Sequence, residues 1–290
     1  MEFLLEISLV GLAVGGVYGL IGLGYVIVYR ATRIVNFAHG NIMMFGAYCY
    51  FTGAAVLDLP WWAALPLAVT ATALLGTAVE RLLLRPLEGR SQTVAVMATF
   101  GLAAVLHGLV QLLWSARDVF MPPIFAQQPI VLGAMYIPAN TGYGALLALA
   151  AVGVFLVLFR VTNLGLAMRA TASDQVAASS LGINVPAMFN VTWACAAATA
   201  ALAGVVVGSI TTLNPNMGRI GLSVLAVVIL GGLDSLAGAI LAGLIVGWLE
   251  AVTGFYLGAS YKDVVPFLVL LTILMVRPHG LLGAPRVERL

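Results

Sequence analysis

Apolar residues run along this chain in long stretches, punctuated by short polar segments. Nine stretches stand out, at 7–29, 36–57, 61–79, 94–114, 142–159, 187–210, 221–233, 235–249 and 264–276, and none contains Asp, Glu, Lys or Arg. A charge at the centre of a membrane helix costs about 2.5–3.5 kcal/mol on insertion scales, so charge-free runs of this length read as spans. The predicted fold is all-α: a polytopic helical membrane bundle of about 8–10 spans, forming a single transmembrane domain over 1–290. The first run has no basic residue before it and no small-residue cleavage pattern after it, and it is too long for a signal-peptide core; it reads as a retained span. Three late runs are short. As helix, 221–233 reaches about 20 Å against a hydrocarbon core of about 30 Å, which predicts crossings that borrow neighbours or broken helices meeting inside the protein. Residues 221–249 could instead form one kinked span.

Composition agrees with this pattern. The chain is 62% hydrophobic and 8% charged, against about 45–50% and about 25% in soluble domains. This excludes an ordinary soluble enzyme, a disordered protein and a nucleic-acid binder, and the net charge of +2 implies no polyanionic partner. The few charges orient the spans. With the N-terminus outside, the inside connections hold Arg30, Arg33, Arg81, Arg85, Arg90, Arg160, Arg169, Arg277, Arg286 and Arg289, and the outside ones only Arg117, Arg219 and Lys262. That bias predicts N-out, C-in and an odd number of crossings. Cys49 and Cys195 fall in apolar runs and read as buried free thiols.

Glycine supplies two further signals. Gly11, Gly15 and Gly19, and Ala239, Gly243 and Gly247, form rows of small residues four apart, suited to close helix packing in lipid. Two Gly-rich breaks, at 36–41 and 231–238, interrupt apolar runs near one membrane face. Paired breaks in two halves point to inverted repeats.

No catalytic constellation is present. The sequence has no Gly-x-x-x-x-Gly-Lys-[Ser/Thr] loop, and its one lysine, Lys262, follows Ser260-Tyr261, so ATP cannot be bound here in a Walker site. It has no His-Glu-x-x-His or Cys-x-x-Cys, and His39, His107 and His279 are far apart; no metal is expected. The apolar runs hold no acid, which argues against a proton-coupled carrier. Asn36, His39, Asn41, Thr99, Gln111 (four residues after His107), Asn190, Thr192 and Thr199 read either as interhelical hydrogen bonding or as solute contacts. His39 with Asn41, beside a glycine break, is the strongest solute candidate. The 160–186 loop predicts a short helix over 174–181, capped by Ser173, favoured by Asp174 at its N-terminus and ended by Gly182. Val176, Ala177 and Leu181 give it an apolar face that must lie on the membrane, on the bundle or on a partner protein.

These residues resemble the branched-chain amino-acid ABC-importer permeases of the LivH type. The likeness runs from about residue 15 to 283, through Gly24-Tyr25, Asn36-Phe37-Ala38-His39-Gly40, Glu80-Arg81, Arg85-Pro86, Arg117-Asp118-Val119, Met168-Arg169-Ala170, Leu181-Gly182-Ile183-Asn184, Asn214-Pro215, Leu230-Gly231-Gly232, Glu250-Ala251, Tyr261-Lys262-Asp263 and Arg277-Pro278-x-Gly280-Leu281-x-Gly283. The resemblance implies one permease subunit of a bacterial inner-membrane importer. A second related permease subunit, in a heterodimer, would share the path; two cytoplasmic ATPases would carry ATP and Mg, and a periplasmic solute-binding protein would deliver the solute. This chain itself would be no enzyme and would hold no cofactor; lipid surrounds it. It implies a solute path near Asn36, His39, Asn41, Thr99, Gln111 and Ser223. It also implies a coupling segment in 160–186, with Arg169, Asp174, Ser180, Leu181, Gly182, Ile183 and Asn184 at the ATPase. The chain departs from the family at two charges: Asn41 stands where members often have Glu, and Ser223 where Lys is common. Solutes of related systems, such as urea, short amides and carboxylates, stay open, as does a stand-alone channel or ion-coupled carrier.

Overall fold

A computed structural model describes residues 2–125, 128–132, 135–277 and 279–283; Pro278, Arg286 and Arg289 lie outside these. The order of elements is α1 (Glu2–Thr32), α2 (His39–Phe51, continued by a π-turn over Thr52–Val56) and α3 (Trp61–Val79, continued through Glu80–Leu84 and Arg85–Leu87). Next come α4 (Gln92–Trp114), a hairpin of β1 (Ile130–Leu132) and β2 (Met135–Ile137), and α5 (Ala139–Val161). Two shorter helices, α6 (Asn163–Ser173) and α7 (Gln175–Ser180), lead to α8 (Val185–Ile210). A 3-10 turn over Pro215–Arg219 opens α9 (Ile220–Gly231), followed by α10 (Leu236–Tyr256), α11 (Ala259–Lys262) and α12 (Val265–Val276). Seven of the described helices are long and apolar enough to cross a membrane, and α2 and α9 complete the nine predicted runs.

Two ends were misread from the sequence. Helix α10 continues through Glu250, and α3 continues through Glu80, so acids do sit within apolar helices, both of them buried. Each is held: Tyr18 donates its hydroxyl to Glu250 at 2.7 Å, and Asn190 donates to Glu80 at 2.6 Å. A paired acid can stay inside a helix where an unpaired one would end it.

The glycine rows bring α1 and α10 together. A Cβ at Gly15 would stand 2.7 Å from the Gly243 carbonyl oxygen, and one at Gly247 would stand 2.5 Å from the Gly15 Cα, so the backbones touch where only hydrogen fits. Gly11 meets Trp248 while Gly19 meets Ile240, so the pair is antiparallel.

The same packing scheme occurs twice. Helices α1 and α10 pack as α8 and α3 do, α9 lies on α1 and α10 as α2 lies on α8 and α3, and α12 lies on α9 as α4 lies on α2. The run α1–α4 thus recurs as α8, α9, α10 and α12. Val10 and Val14 of α1 share a cavity with Val207 and Ile210 of α8, while Thr32 and Arg33 share another with Val185 and Pro186. The two leading helices are therefore antiparallel, and the repeat is inverted. The expected inversion holds, with one correction: the break at 36–41 before α2 pairs with 211–219 before α9. The 231–238 break is instead a tight turn whose carbonyls at Leu230 and Gly231 accept the N–H groups of Leu281 and Leu282.

The described basic residues assigned above to the inside connections, Arg30, Arg33, Arg81, Arg85, Arg90, Arg160, Arg169 and Arg277, gather at one end of the bundle, called here the basic end.

Replacing Gly15 or Gly247 by Val should lower stability in detergent by about 1–3 kcal/mol through overpacking. Gly101→Ala, which meets nothing within 4 Å, is the control and should not lower it. Thermal unfolding followed by circular dichroism checks this, and equal melting of all three variants would contradict the glycine contact.

Candidate functional site

The segment between α1 and α2 turns back into the bundle. Gln92 donates to the Arg33 carbonyl at 2.7 Å, so the end of α1 is level with the start of α4. The Phe37 N–H donates to the Thr99 hydroxyl at 3.2 Å, seven residues further along α4. At about 1.5 Å per residue, the chain sinks about 10 Å before α2 begins. Its backbone donors are satisfied there: Ala38 N–H bonds the Asn36 side-chain oxygen at 3.0 Å and His39 N–H bonds the Asn36 carbonyl at 3.3 Å.

At that depth α2 meets α9, N-terminus to N-terminus. A Cβ on Gly40 would collide with the Gly218 carbonyl and stand 2.8 Å from the Gly221 Cα. Tyr25 donates to the Gly221 carbonyl at 2.8 Å, and its ring lies 4.4 Å from the His39 ring. Asn36 and His39 are fully buried. Neither ring nitrogen of His39 is in hydrogen-bonding geometry with a described group, the Ile21 backbone being the one that faces it, and Asn36 Nδ2 is also unpaired.

Two cavities flank this junction. One, of about 330 Å³, is lined by Val10, Val14, Val17, Tyr18, Ser223, Glu250, Lys262 and Asp263, and is called here the Lys262 cavity. The other, of about 380 Å³, opens at the basic end beside Thr32, Arg33, Glu80, Arg85, Arg90 and Trp193, and is called the arginine hollow. Along α1 the order is unambiguous: positions 10 to 18 touch the Lys262 cavity, Gly24 and Tyr25 the junction, and Thr32 and Arg33 the hollow. At 100° per residue the lining positions that lie on α1 itself, 10, 14, 17, 18, 24, 25 and 32, fall within about 120° of arc, so cavity, junction and hollow follow one face of α1.

The sequence candidates divide. Asn36, His39 and Thr99 converge at the junction, and Asn41 abuts Gly218 there. Ser223 lies in the Lys262 cavity. Gln111 does not join them; it bonds His107 at 2.9 Å on the exposed face of α4. Thr192 and Thr199 bond carbonyls of their own helix. In the 160–186 loop, Asp174 rather than Ser173 caps α7, accepting from Val176 and Ala177 N–H at 2.9 and 3.0 Å. Asp174 has the extended backbone that an N-cap requires, whereas Ser173 is still helical. Gly182 at φ +84° ends α7, with Ile183 N–H on the Ala178 carbonyl and Gly182 N–H on the Ser179 carbonyl, and Asn184 caps α8. Ser180 bonds the Val176 carbonyl. Arg169 points inward, bonding the Phe159 carbonyl and stacking on its ring, so it braces α6 against α5. Val176 and Leu181 stand 78% and 81% exposed.

Sequence reasoning missed the charged end of the Lys262 cavity. Tyr18 is distant along the chain from Glu250, Lys262 and Asp263; the available signal was that Glu250-Ala251 and Tyr261-Lys262-Asp263 both lie in stretches shared with the family.

Two short helices meeting N-terminus to N-terminus inside an inverted repeat, between cavities on opposite sides, define a membrane transport protein. Residues 7–274 match the family described as branched-chain amino acid transport system / permease component, and the chain belongs to that family. It is 36% identical to the high-affinity branched-chain amino acid transport system permease protein LivH of Salmonella typhimurium, over 96% of this chain and 95% of that one. It is 33% identical to the corresponding protein BraD of Pseudomonas aeruginosa, over 96% and 95%. Among solved structures, PsaBC from Streptococcus pneumoniae in complex with Fab shares the fold, with a TM-score of 0.52, 13% identity and coverage of 96% of this chain and 93% of that one. The chain is thus a multi-pass membrane permease and not an enzyme.

Removing the Tyr25 hydroxyl should loosen the junction. Tyr25→Phe is expected to cost about 1 kcal/mol, the usual net worth of one buried hydrogen bond. Thermal unfolding in detergent measures it, and a melting point equal to that of the unaltered protein would show that the bond to Gly221 does not hold α9 in place.

Proposed function

We propose that this chain forms the membrane path of an ATP-driven importer for branched-chain amino acids. The observation that carries this reading is the Lys262 cavity. Val10, Val14, Val17, Ile210 and Ile220 give it aliphatic walls, and Glu250, Asp263 and Lys262 give it both signs of charge. A small aliphatic amino acid has the matching pattern: an ammonium for the carboxylates, a carboxylate for Lys262, and a branched side chain for the walls. The Lys262 stem packs over Gly254, one helical turn beyond Glu250, which keeps base and acid within one solute's span. Urea or a short amide would leave the aliphatic walls uncovered.

The remaining parts follow from that reading. The basic end faces the cytoplasm, with the N-terminus outside. Helix α7, capped at both ends, presents Val176 and Leu181 to a cytoplasmic ATPase, which carries ATP and Mg. A periplasmic binding protein delivers the solute at the Lys262 cavity, and a second permease subunit completes the path. The α2–α9 junction is the barrier, passing solute when ATPase closure shifts α7 and with it α8. The chain works as one transmembrane domain, with 160–186 as its coupling segment. A second reading, a stand-alone proton-coupled carrier, has one supporting observation, the buried Glu250.

Reconstitution in liposomes with the ATPases, second permease and binding protein tests both readings. Lys262→Ala or Glu250→Gln should reduce leucine uptake at least tenfold while the complex still assembles. Val176→Asp with Leu181→Asp should abolish co-purification of the ATPase and uptake together. Undiminished uptake in the first pair removes the cavity from the path; retained ATPase in the double variant removes α7 from the contact. Uptake by this chain alone would establish the carrier instead.

A further inference from the structure

Two side chains that line the arginine hollow each carry a polar atom with no hydrogen-bond partner among the described residues. Glu80 is 2% exposed; its Oε2 accepts from Asn190, while Oε1 has no described partner. Trp193 is 1% exposed and its indole Nε1 donates to no described group. Both side chains line the hollow, and so do three guanidinium groups, Arg33, Arg85 and Arg90, against one further acid, Glu88. A buried carboxylate oxygen without a donor carries a desolvation penalty, and an unpaired buried indole N–H adds to it. Such a group in a native fold calls for an explanation, and a bound ligand supplies one.

We infer that the arginine hollow is a binding site for a zwitterion, with an ammonium group on Glu80 Oε1 and an anionic group among Arg33, Arg85, Arg90 and the Trp193 N–H. The ligand must donate an N–H to Glu80, so a quaternary ammonium is a poor occupant. Two sources supply this chemistry at the cytoplasmic face: a free amino acid arriving as transported product, and the head group of an aminophospholipid, whose phosphate suits clustered guanidinium groups. The hollow also touches Gln175, which opens α7, and Val185 and Pro186, which open α8. An occupant therefore ties the end of α3 to α7 and restrains the element that the proposed function assigns to coupling. That regulatory consequence rests on the reading of α7 above; the binding itself does not.

The full-length chain in phosphatidylglycerol nanodiscs provides the test, with tryptophan fluorescence as the readout. It is titrated separately with L-leucine, dihexanoyl phosphatidylethanolamine and dihexanoyl phosphatidylcholine. A saturable change is expected with leucine or the ethanolamine lipid and not with the choline lipid. Trp193→Phe should remove the signal, which separates the hollow from the Lys262 cavity. Glu80→Gln, which keeps the shape and the Asn190 contact, should weaken binding at least tenfold. Should that variant misfold, Arg85→Ala serves in its place, with the same weakening expected. Saturation by leucine alone makes the hollow a product site; saturation by the ethanolamine lipid alone makes it a lipid site. No saturable change with either, or equal affinity in a folded Glu80→Gln or Arg85→Ala chain, overturns the inference. Because no ATPase is present, a failure of ATPase docking leaves this result unaffected.

Discussion

A helix that starts inside a bilayer must find protein partners for its first N–H groups, since hydrocarbon offers none. The chain meets this constraint twice, at α2 and at α9, and much of the architecture follows from how it does so. Before α2, Asn36 supplies both its side-chain oxygen and its carbonyl, and Thr99 reaches across from α4. Before α9, Asn214 supplies its side-chain oxygen to Asn216 N–H. Asparagine does the same work in both repeats because its amide can mimic a backbone turn. The residues that resemble solute ligands in sequence are therefore partly explained as the polar lining that a buried helix start requires. His39, with ring nitrogens left over, is the one that this account does not use up.

The fold was largely legible because its lipid-facing helices carry no charge. Each of the nine apolar runs has its helix. The errors lie where the interior overrides that rule. Glu250 and Glu80 looked like span ends because an isolated acid cannot remain in hydrocarbon; Tyr18 and Asn190 make them tolerable, and both partners come from other helices. Helix α2 has the opposite signature: nearly all of it is buried, so it can carry polar residues without meeting lipid. Pairing the breaks by glycine content matched 36–41 with 231–238, whereas topology matches it with 211–219, where Asn214-Pro215 carries the signal and glycine does not.

The site was less legible than the fold because it is assembled from distant pieces. Tyr18, Ser223, Glu250 and Lys262 sit on four different elements, and no local spacing joins them. The 160–186 loop was the reverse case. Its caps are local, with Asp174, Gly182 and Asn184 acting within three or four residues, so sequence alone located α7 to within a residue at each end.

Inversion of the repeat has a consequence for how such a molecule switches. Helices α2 and α9 run in opposite directions and meet end to end, with Gly40 against Gly221. That contact is backbone on backbone, with no side chain to rotate out of the way, and only movement of a whole helix can open it. Helix α8 is placed to provide such movement: it begins at α7, packs along α2 through Gly204 and Met43, and ends in the wall of the Lys262 cavity at Val207 and Ile210. On the proposed reading, a displacement entering at the capped turn beside Leu181 would reach the junction through a single helix of 26 residues. Helix α1 is locked to α10 by the glycine rows and supplies the fixed face along which cavity, junction and hollow are aligned.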